Sequence, residues 1–244
     1  MNGTSPPSIV VIQHAVVEGL GRIEPALREA GLGVEVVPPD MALPSDGCGG
    51  AAGLIVLGGP MGVYEVDRHP RLRDEMLLVE EALTVELPVL GVCLGSQLLA
   101  AVLGAKVRPG PSQELGWHEV TLMAQAKADP LFRALPATFK ALHWHGDVFA
   151  LPSGAYHLAR SAMTECQAFR YGPSAWGILF HLEAGLSQVR AMATTFPDEV
   201  LAGGTTIDHL LHASEREERG TAQLASRVFG EWARVVQARG SGRT

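Results

Sequence analysis

Residues 88–100 read PVLGVCLGSQLLA. An apolar run ends at Cys93 and a segment with helical character begins directly after it. Hydrophobic side chains on both faces are the mark of a strand in the middle of a parallel sheet, so Leu87 to Val92 predicts an interior strand and Leu94 onward a helix. Two readings of Cys93 are open at this point. Cysteine is among the most buried residue types and can serve as a small hydrophobe under a sheet. Gly91 and Gly95, each two residues away, favour a nucleophile elbow, because its central residue is strained and flanking side chains would strike neighbouring backbone. A cysteine placed there lies at a helix N-terminus, where unpaired N–H groups and the dipole favour its thiolate. The N–H of Leu94 can then face an oxyanion.

Working outward, Ile9 to Ile12 predicts a buried strand, Glu18 to Ala30 an amphipathic helix stopped at Gly31, and Val34 to Val37 a second strand. Leu54 to Leu57 is a further short strand, and Pro70 to Leu83 has helical spacing with acidic residues outward. Strands alternating with helices predict a mostly parallel sheet covered on both sides. From about residue 105 to 182 the pattern changes to short β-like runs: Val120 to Met123, Phe139 to His143, His157 to Ala162, Gln167 to Tyr171 and Ala175 to Phe180. These predict added antiparallel strands. Thr221 to Ala238 has helical periodicity, and ASEREERG before it reads as a solvated charged face. With no internal repeat or long linker, a single domain is expected over residues 9–238, between polar tails at 1–8 and 239–244.

The 244 residues are 47% hydrophobic and 18% charged, enough for a sizeable core. A net charge of -7, with Lys and Arg scattered singly, provides no basic stripe for a phosphate backbone, so no nucleic-acid partner is expected. No stretch reaches the roughly 18 apolar residues of a membrane span, and the N-terminus lacks a basic signal-peptide start. Cys48, Cys93 and Cys166 form no close pair, which argues against a disulfide framework and for a reducing cytoplasm.

A cysteine nucleophile needs a base, and the base needs an orienting group. WGILFHLEA, residues 176–184, places His181 at the end of a β-like run with Glu183 two positions on. Side chains two apart on a strand point the same way, so the carboxylate can hold the imidazole in one tautomer. Directly after the strand LIVL, GGPMGVYE (residues 58–65) lets backbone amides approach a reacting oxygen. A phosphate loop is the rival for that piece, but neither a Gly-Lys-Ser/Thr ending nor GxGxxG spacing is present. A plain turn stays open.

GGPMG, GVCLGSQ and WGILFHLE, in that order between Ile9 and Ala184, resemble the class I glutamine amidotransferases of the Cys-His-Glu triad type. HWHGD, residues 143–147, is similar to a segment of the amidotransferase part of GMP synthase. The resemblance implies a three-layer α/β/α, flavodoxin-like fold with a mostly parallel central sheet and added antiparallel strands. It implies Cys93 as nucleophile, His181 as base and then acid, Glu183 as its orienter, and N–H groups of Gly59 and Leu94 as the oxyanion hole. Gln97 would contact the amino-acid end of glutamine, and Gly58, His145, Gly146 and Asp147 would line the same pocket. No metal or organic cofactor is implied. One departure is HLE where the family has HPE: Leu182 loses proline's rigidity, which touches fine geometry rather than the triad.

Three alternatives accompany this expectation. His143-x-His145-x-Asp147 begins a dinuclear zinc hydrolase signature, but Val148 stands where a further histidine belongs. The same triad could hydrolyse γ-glutamyl peptides instead of glutamine, and elbow cysteines also occur in non-enzymatic stress or redox proteins. Too little chain follows Glu183 for an ATP-binding acceptor domain, so ammonia is expected to pass to a separate synthetase subunit. A homodimer is compatible with everything in the sequence.

Overall fold

The computed structural model describes residues 7–241; the outer parts of both expected tails, residues 1–6 and 242–244, lie outside the described residues. Strand β1 (Ser8–Ile12) is followed by helix α1 (Ile23–Glu29) and β2 (Gly33–Val37); a loop leads from β2 to β3 (Gly53–Val56), and helix α2 (Arg71–Thr84), β4 (Val89–Val92) and helix α3 (Leu94–Val102) follow. Then come β5 (Val107–Leu122), a 3-10 turn at Ala124–Ala128, β6 (Thr138–Phe149), β7 (Tyr156–Arg160), β8 (Ala168–Tyr171) and β9 (Ala175–Ile178). Helices α4 (Leu186–Thr195), α5 (Pro197–Ala202) and α6 (Ile207–Ser241) complete the chain.

All nine strands join one sheet in the order β2-β1-β3-β4-β9-β8-β7-β5-β6. The first five are mutually parallel, and the order 2-1-3-4 followed by the last strand is flavodoxin-like. The β9-β8-β7-β5-β6 end is antiparallel. Alternation along β1 explains the layering. Ile9 and Val11 pack with Ile23, Leu27, Phe229 and Trp232 under α1 and α6, while Val10 and Ile12 pack with Leu72, Val79 and Leu98 under α2 and α3. Fully burying each such side chain contributes about 1.5–3 kcal/mol, so both faces demand helical cover. A third cluster, with Leu142, Trp144, Val189, Met192 and Leu210, seats α4, α5 and the start of α6.

Several expectations need correction. The first helix starts at Ile23, not Glu18, since Gly19 and Gly21 interrupt the segment and Gly21 adopts φ +49. β5 and β6 are much longer than the β-like runs expected there, because their pairing, interrupted between Pro109 and Glu114, carries them beyond the apolar cores. ASEREERG lies inside α6 rather than ahead of a helix, and the surface character expected of it holds for most of its residues. Helices α4 and α5 were not foreseen; their apolar faces cover a cluster formed by residues far apart in the chain.

Candidate active site

The parallel strands end on one side of the sheet, where α/β proteins assemble their sites. Cys93 follows β4 at once with φ 50 and ψ -110, a strained conformation for a non-glycine residue. Its neighbours explain why the turn can form. A Cβ on Gly91 would lie 2.4 Å from the Gly95 carbonyl oxygen, and one on Gly95 would lie 1.9 Å from that of Val56. Neither position admits a side chain without moving backbone.

β9 pairs beside β4, with Val92 opposite Ile178, and the Cys93 N–H donates to the Ile178 carbonyl at 2.8 Å. The chain beyond β9 therefore arrives next to the elbow. There the His181 N–H donates to the Leu142 carbonyl at 2.8 Å, tying it to β6. The Cys93 thiol points at the carbonyl of Trp144 on the same strand, 3.6 Å away. His181 Nδ1 lies 2.6 Å from Glu183 Oε1, which fixes the ring and leaves Nε2 without a geometrically aligned partner. Cys93 is the electrostatic neighbour of that ring.

Burial alone would lower the basicity of His181, but Glu183 and the Cys93 thiol together raise its pKa well above the usual imidazole value. For Cys93 burial dominates and pushes the thiol up, opposed by His181 and supported by the charges of Glu18 and Glu183. Desolvation thus works against the helix N-terminus, which favours the thiolate, and leaves His181 as the group that draws the proton from sulfur. Cys48 and Cys166 are each pushed up to about 12, chiefly by burial.

Gly59 lies on the loop after β3, its Cα so close to His14 that a Cβ would sit 2.5 Å from the His14 Cβ. Among the described residues, neither the Gly59 nor the Leu94 N–H donates to an acceptor. The Gly58 carbonyl accepts from His14 Nδ1 at 3.1 Å, and His14 Nε2 lies 2.8 Å from Glu75, itself paired with Arg71. Sequence reasoning missed this buried chain under the loop; lone polar residues in an apolar strand end and a helix were its only trace.

A cavity of about 270 Å³ opens over Cys93. Gly59, Gln97, His145, Gly146 and Asp147 line it, as do Glu18, Tyr64, Gln113 and Glu199, which the sequence did not single out. Gly58, by contrast, stands behind this wall. Tyr64 donates to Asp147 at 3.1 Å, and Trp144 donates to Glu199 at 2.6 Å. Glu18, expected to open the first helix, belongs to the loop ahead of α1, and Gly19 and Gly21, poor helix residues, are the sequence signal for it.

The backbone around Leu182, the point of departure from the family pattern, is held from outside. Leu182 is buried in the core under α1 and α6, and Arg22 Nη1 donates to the Leu182 carbonyl at 3.0 Å and the Ala184 carbonyl at 2.6 Å. The Arg22 N–H donates to the Glu183 carbonyl at 2.9 Å. Gly21 is held close to the same carbonyl, 2.2 Å from where its Cβ would be. Three hydrogen bonds from Arg22 thus clamp the backbone of residues 182–184.

Glu114, His143 and His145 form a buried donor set of the kind that can hold a metal ion. The amide nitrogen of Gln167 occupies the space between them, 2.7 Å from Glu114 Oε2, 3.2 Å from His143 Nδ1 and 3.3 Å from His145 Nε2. His145 Nδ1 in turn donates to the Asp147 carbonyl at 3.2 Å, so the cluster braces the segment that lines the cavity.

Comparison with known proteins bears on the family and the fold. The family model "Glutamine amidotransferase class-I" matches residues 20–196. The structure superimposes on a glutamine amidotransferase from Thermotoga maritima with a TM-score of 0.83 and 33% identity, covering 93% of this chain and 98% of that one. A glutamine amidotransferase from Methylobacillus flagellatus gives 0.85 and 26%, covering 94% and 95%. Among curated sequences, a glutamine amidotransferase-like protein of Salmonella typhimurium is 32% identical over 57% of this chain and 59% of its own length. GMP synthase of Thermomicrobium roseum is 40% identical over 56% of this chain. The match spans only 24% of that enzyme, so the chain aligns with about a quarter of it.

Proposed function

The chain belongs to the class I glutamine amidotransferase family, and from that premise we propose that it hydrolyses the side-chain amide of glutamine through a thioester on Cys93. His181 takes the thiol proton as sulfur bonds to the amide carbon, and the developing oxyanion is met by the N–H groups of Gly59 and Leu94. The C–N bond then breaks as His181 returns the proton to nitrogen, releasing ammonia. Water, deprotonated by His181, adds to the thioester; the C–S bond breaks, the thiol regains the proton and glutamate leaves. Glu183 keeps the ring oriented and stabilises the imidazolium. Proton transfers of this kind contribute about 100-fold to 10,000-fold.

The observation that carries this proposal is the Glu183-fixed imidazole whose free Nε2 faces the elbow thiol. Gln97, Gly146 and Asp147 on the cavity wall are assigned to the amino-acid end of glutamine. Charge favours glutamine over γ-glutamyl peptides. The cavity is lined by the carboxyl groups of Glu18, Glu65, Asp147 and Glu199 and by no Lys or Arg, so a peptide's additional carboxylate meets no counter-charge. The ammonia is assigned to a separate synthetase, as the likeness to part of GMP synthases suggests.

Incubation with a glutamine-analogue electrophile, followed by peptide mass spectrometry, tests the chemistry. Modification of Cys93 and ammonia release that disappears in Cys93→Ala are expected; labelling elsewhere, or undiminished release in that variant, overturns it.

A further inference from the structure

Glu18 is 8% exposed, lines the cavity over Cys93, and stands apart from the other carboxyl groups there. Asp147 accepts from Tyr64, Glu199 from Trp144, and Glu65 from the Gly62 N–H and Arg68. No hydrogen bond or ion pair reaches the Glu18 carboxyl among the described residues. It is held in place nonetheless. The Glu18 N–H donates to the Ala15 carbonyl at 3.0 Å, and Gly58, lacking a Cβ, leaves the room that Glu18 Oε2 fills, 2.2 Å from where that Cβ would stand. The same Cβ position is 3.5 Å from Cys93 Cβ, so the carboxyl sits close to the reacting centre.

A buried carboxyl with no partner is costly. We propose that Glu18 is the specificity-determining residue for the α-ammonium of the amino-acid substrate, its missing partner being supplied by the ligand. Resting on the glutamine-hydrolysis reading, this assigns the substrate's positive charge to a residue on the loop after β1, while Gln97 and the segment at Gly146 face the rest of the amino-acid end. Burial, the largest cause, pushes the Glu18 carboxyl up to about 7; His181 and His14 oppose the shift, and Glu183 and Glu199 add to it. An arriving ammonium reverses that penalty, because an opposite charge in a desolvated site favours the ionised carboxyl. Pairing therefore strengthens as pH rises through about 7, with the Cys93 thiol as the further titratable neighbour.

The test uses binding, so that it stands independently of turnover. In Cys93→Ala protein, calorimetry compares L-glutamine with glutaramate, which is glutamine without its α-amino group. A hydrogen-bonded charge pair predicts a preference for glutamine of about 10-fold to 100-fold. Adding Glu18→Gln, which keeps shape and removes charge, should bring that ratio close to one, whereas Glu18→Asp should retain part of it. A ratio unchanged by Glu18→Gln, or no preference in the parent, overturns the proposal. Failure of Cys93 to be labelled would instead overturn the hydrolysis chemistry and leave the binding result to be judged alone.

Discussion

Replacing Arg22 by alanine tests whether the clamp on residues 182–184 stands in for the family's proline. Arg22 Nη1 donates to two carbonyls, at 3.0 and 2.6 Å, from a side chain only 13% exposed. Its Nη2 lies 2.7 Å from Glu218, close but not aligned as a hydrogen bond, and Glu218 is 42% exposed. That outer pair contributes at most about 1 kcal/mol. Hydrogen bonds from a charged donor are worth about 1.5–3 kcal/mol each, but water can reach part of the vacated space, so a net loss of about 2–4 kcal/mol is expected. A displacement of about 1 Å in a reacting group can cost about 100-fold in rate, so kcat for glutamine should fall by about 10-fold to 100-fold as Glu183 and His181 loosen. Urea unfolding at constant slope measures the first effect and ammonia release the second. Arg22→Lys, with one point donor in place of a fork, should lie between. A loss under about 0.5 kcal/mol with unchanged kcat would refute the clamp, because surface substitutions alone cause changes of that size.

Glu183→Gln removes the charge that keeps His181 basic, so the imidazole pKa should fall and kcat drop at least about 100-fold, read from pH–rate profiles. The sign for stability follows: a raised histidine pKa gives stabilisation that is complete below about pH 6.5 and lost as pH climbs through the folded value. Denaturation of wild type against Glu183→Gln over that range should show the difference narrowing toward alkaline pH. Gly95→Ala must place a methyl 1.9 Å from the Val56 carbonyl oxygen, which predicts about 1–3 kcal/mol or more of lost stability, together with loss of Cys93 labelling. Finally, Cys48 and Cys166, both pushed up to about 12 with no histidine opposing the shift and both outside the cavity lining, should stay unmodified by the glutamine-analogue electrophile at neutral pH, while Cys93, opposed in its own upward shift by His181, reacts. Mass spectrometry showing equal labelling of all three would contradict that selectivity.

The local features were legible in the sequence because their causes are local. Glycines at 91 and 95 report the crowding of a strained turn, an apolar run reports a strand buried on both faces, and Gly31 with φ +67 marks where α1 has stopped. His181 and Glu183, two positions apart, could be paired without coordinates. What the sequence could not express is which distant segments become neighbours. β9 inserts beside β4 and brings His181 to Cys93 through hydrogen bonds between backbone groups, which carry no sequence signature. The same applies to Arg22 gripping carbonyls at 182 and 184, and to Glu18 filling the space beside Gly58. Desolvation, too, belongs to the packed molecule alone: a helix N-terminus favours the Cys93 thiolate, while burial, which only folding creates, pushes the thiol up. Sequence by itself determined the elbow, the order of the parallel strands' motifs and the family they resemble. Tertiary structure decided the cavity's charge, the clamp and the proton affinities, because each depends on groups that only folding places within a few ångströms of one another.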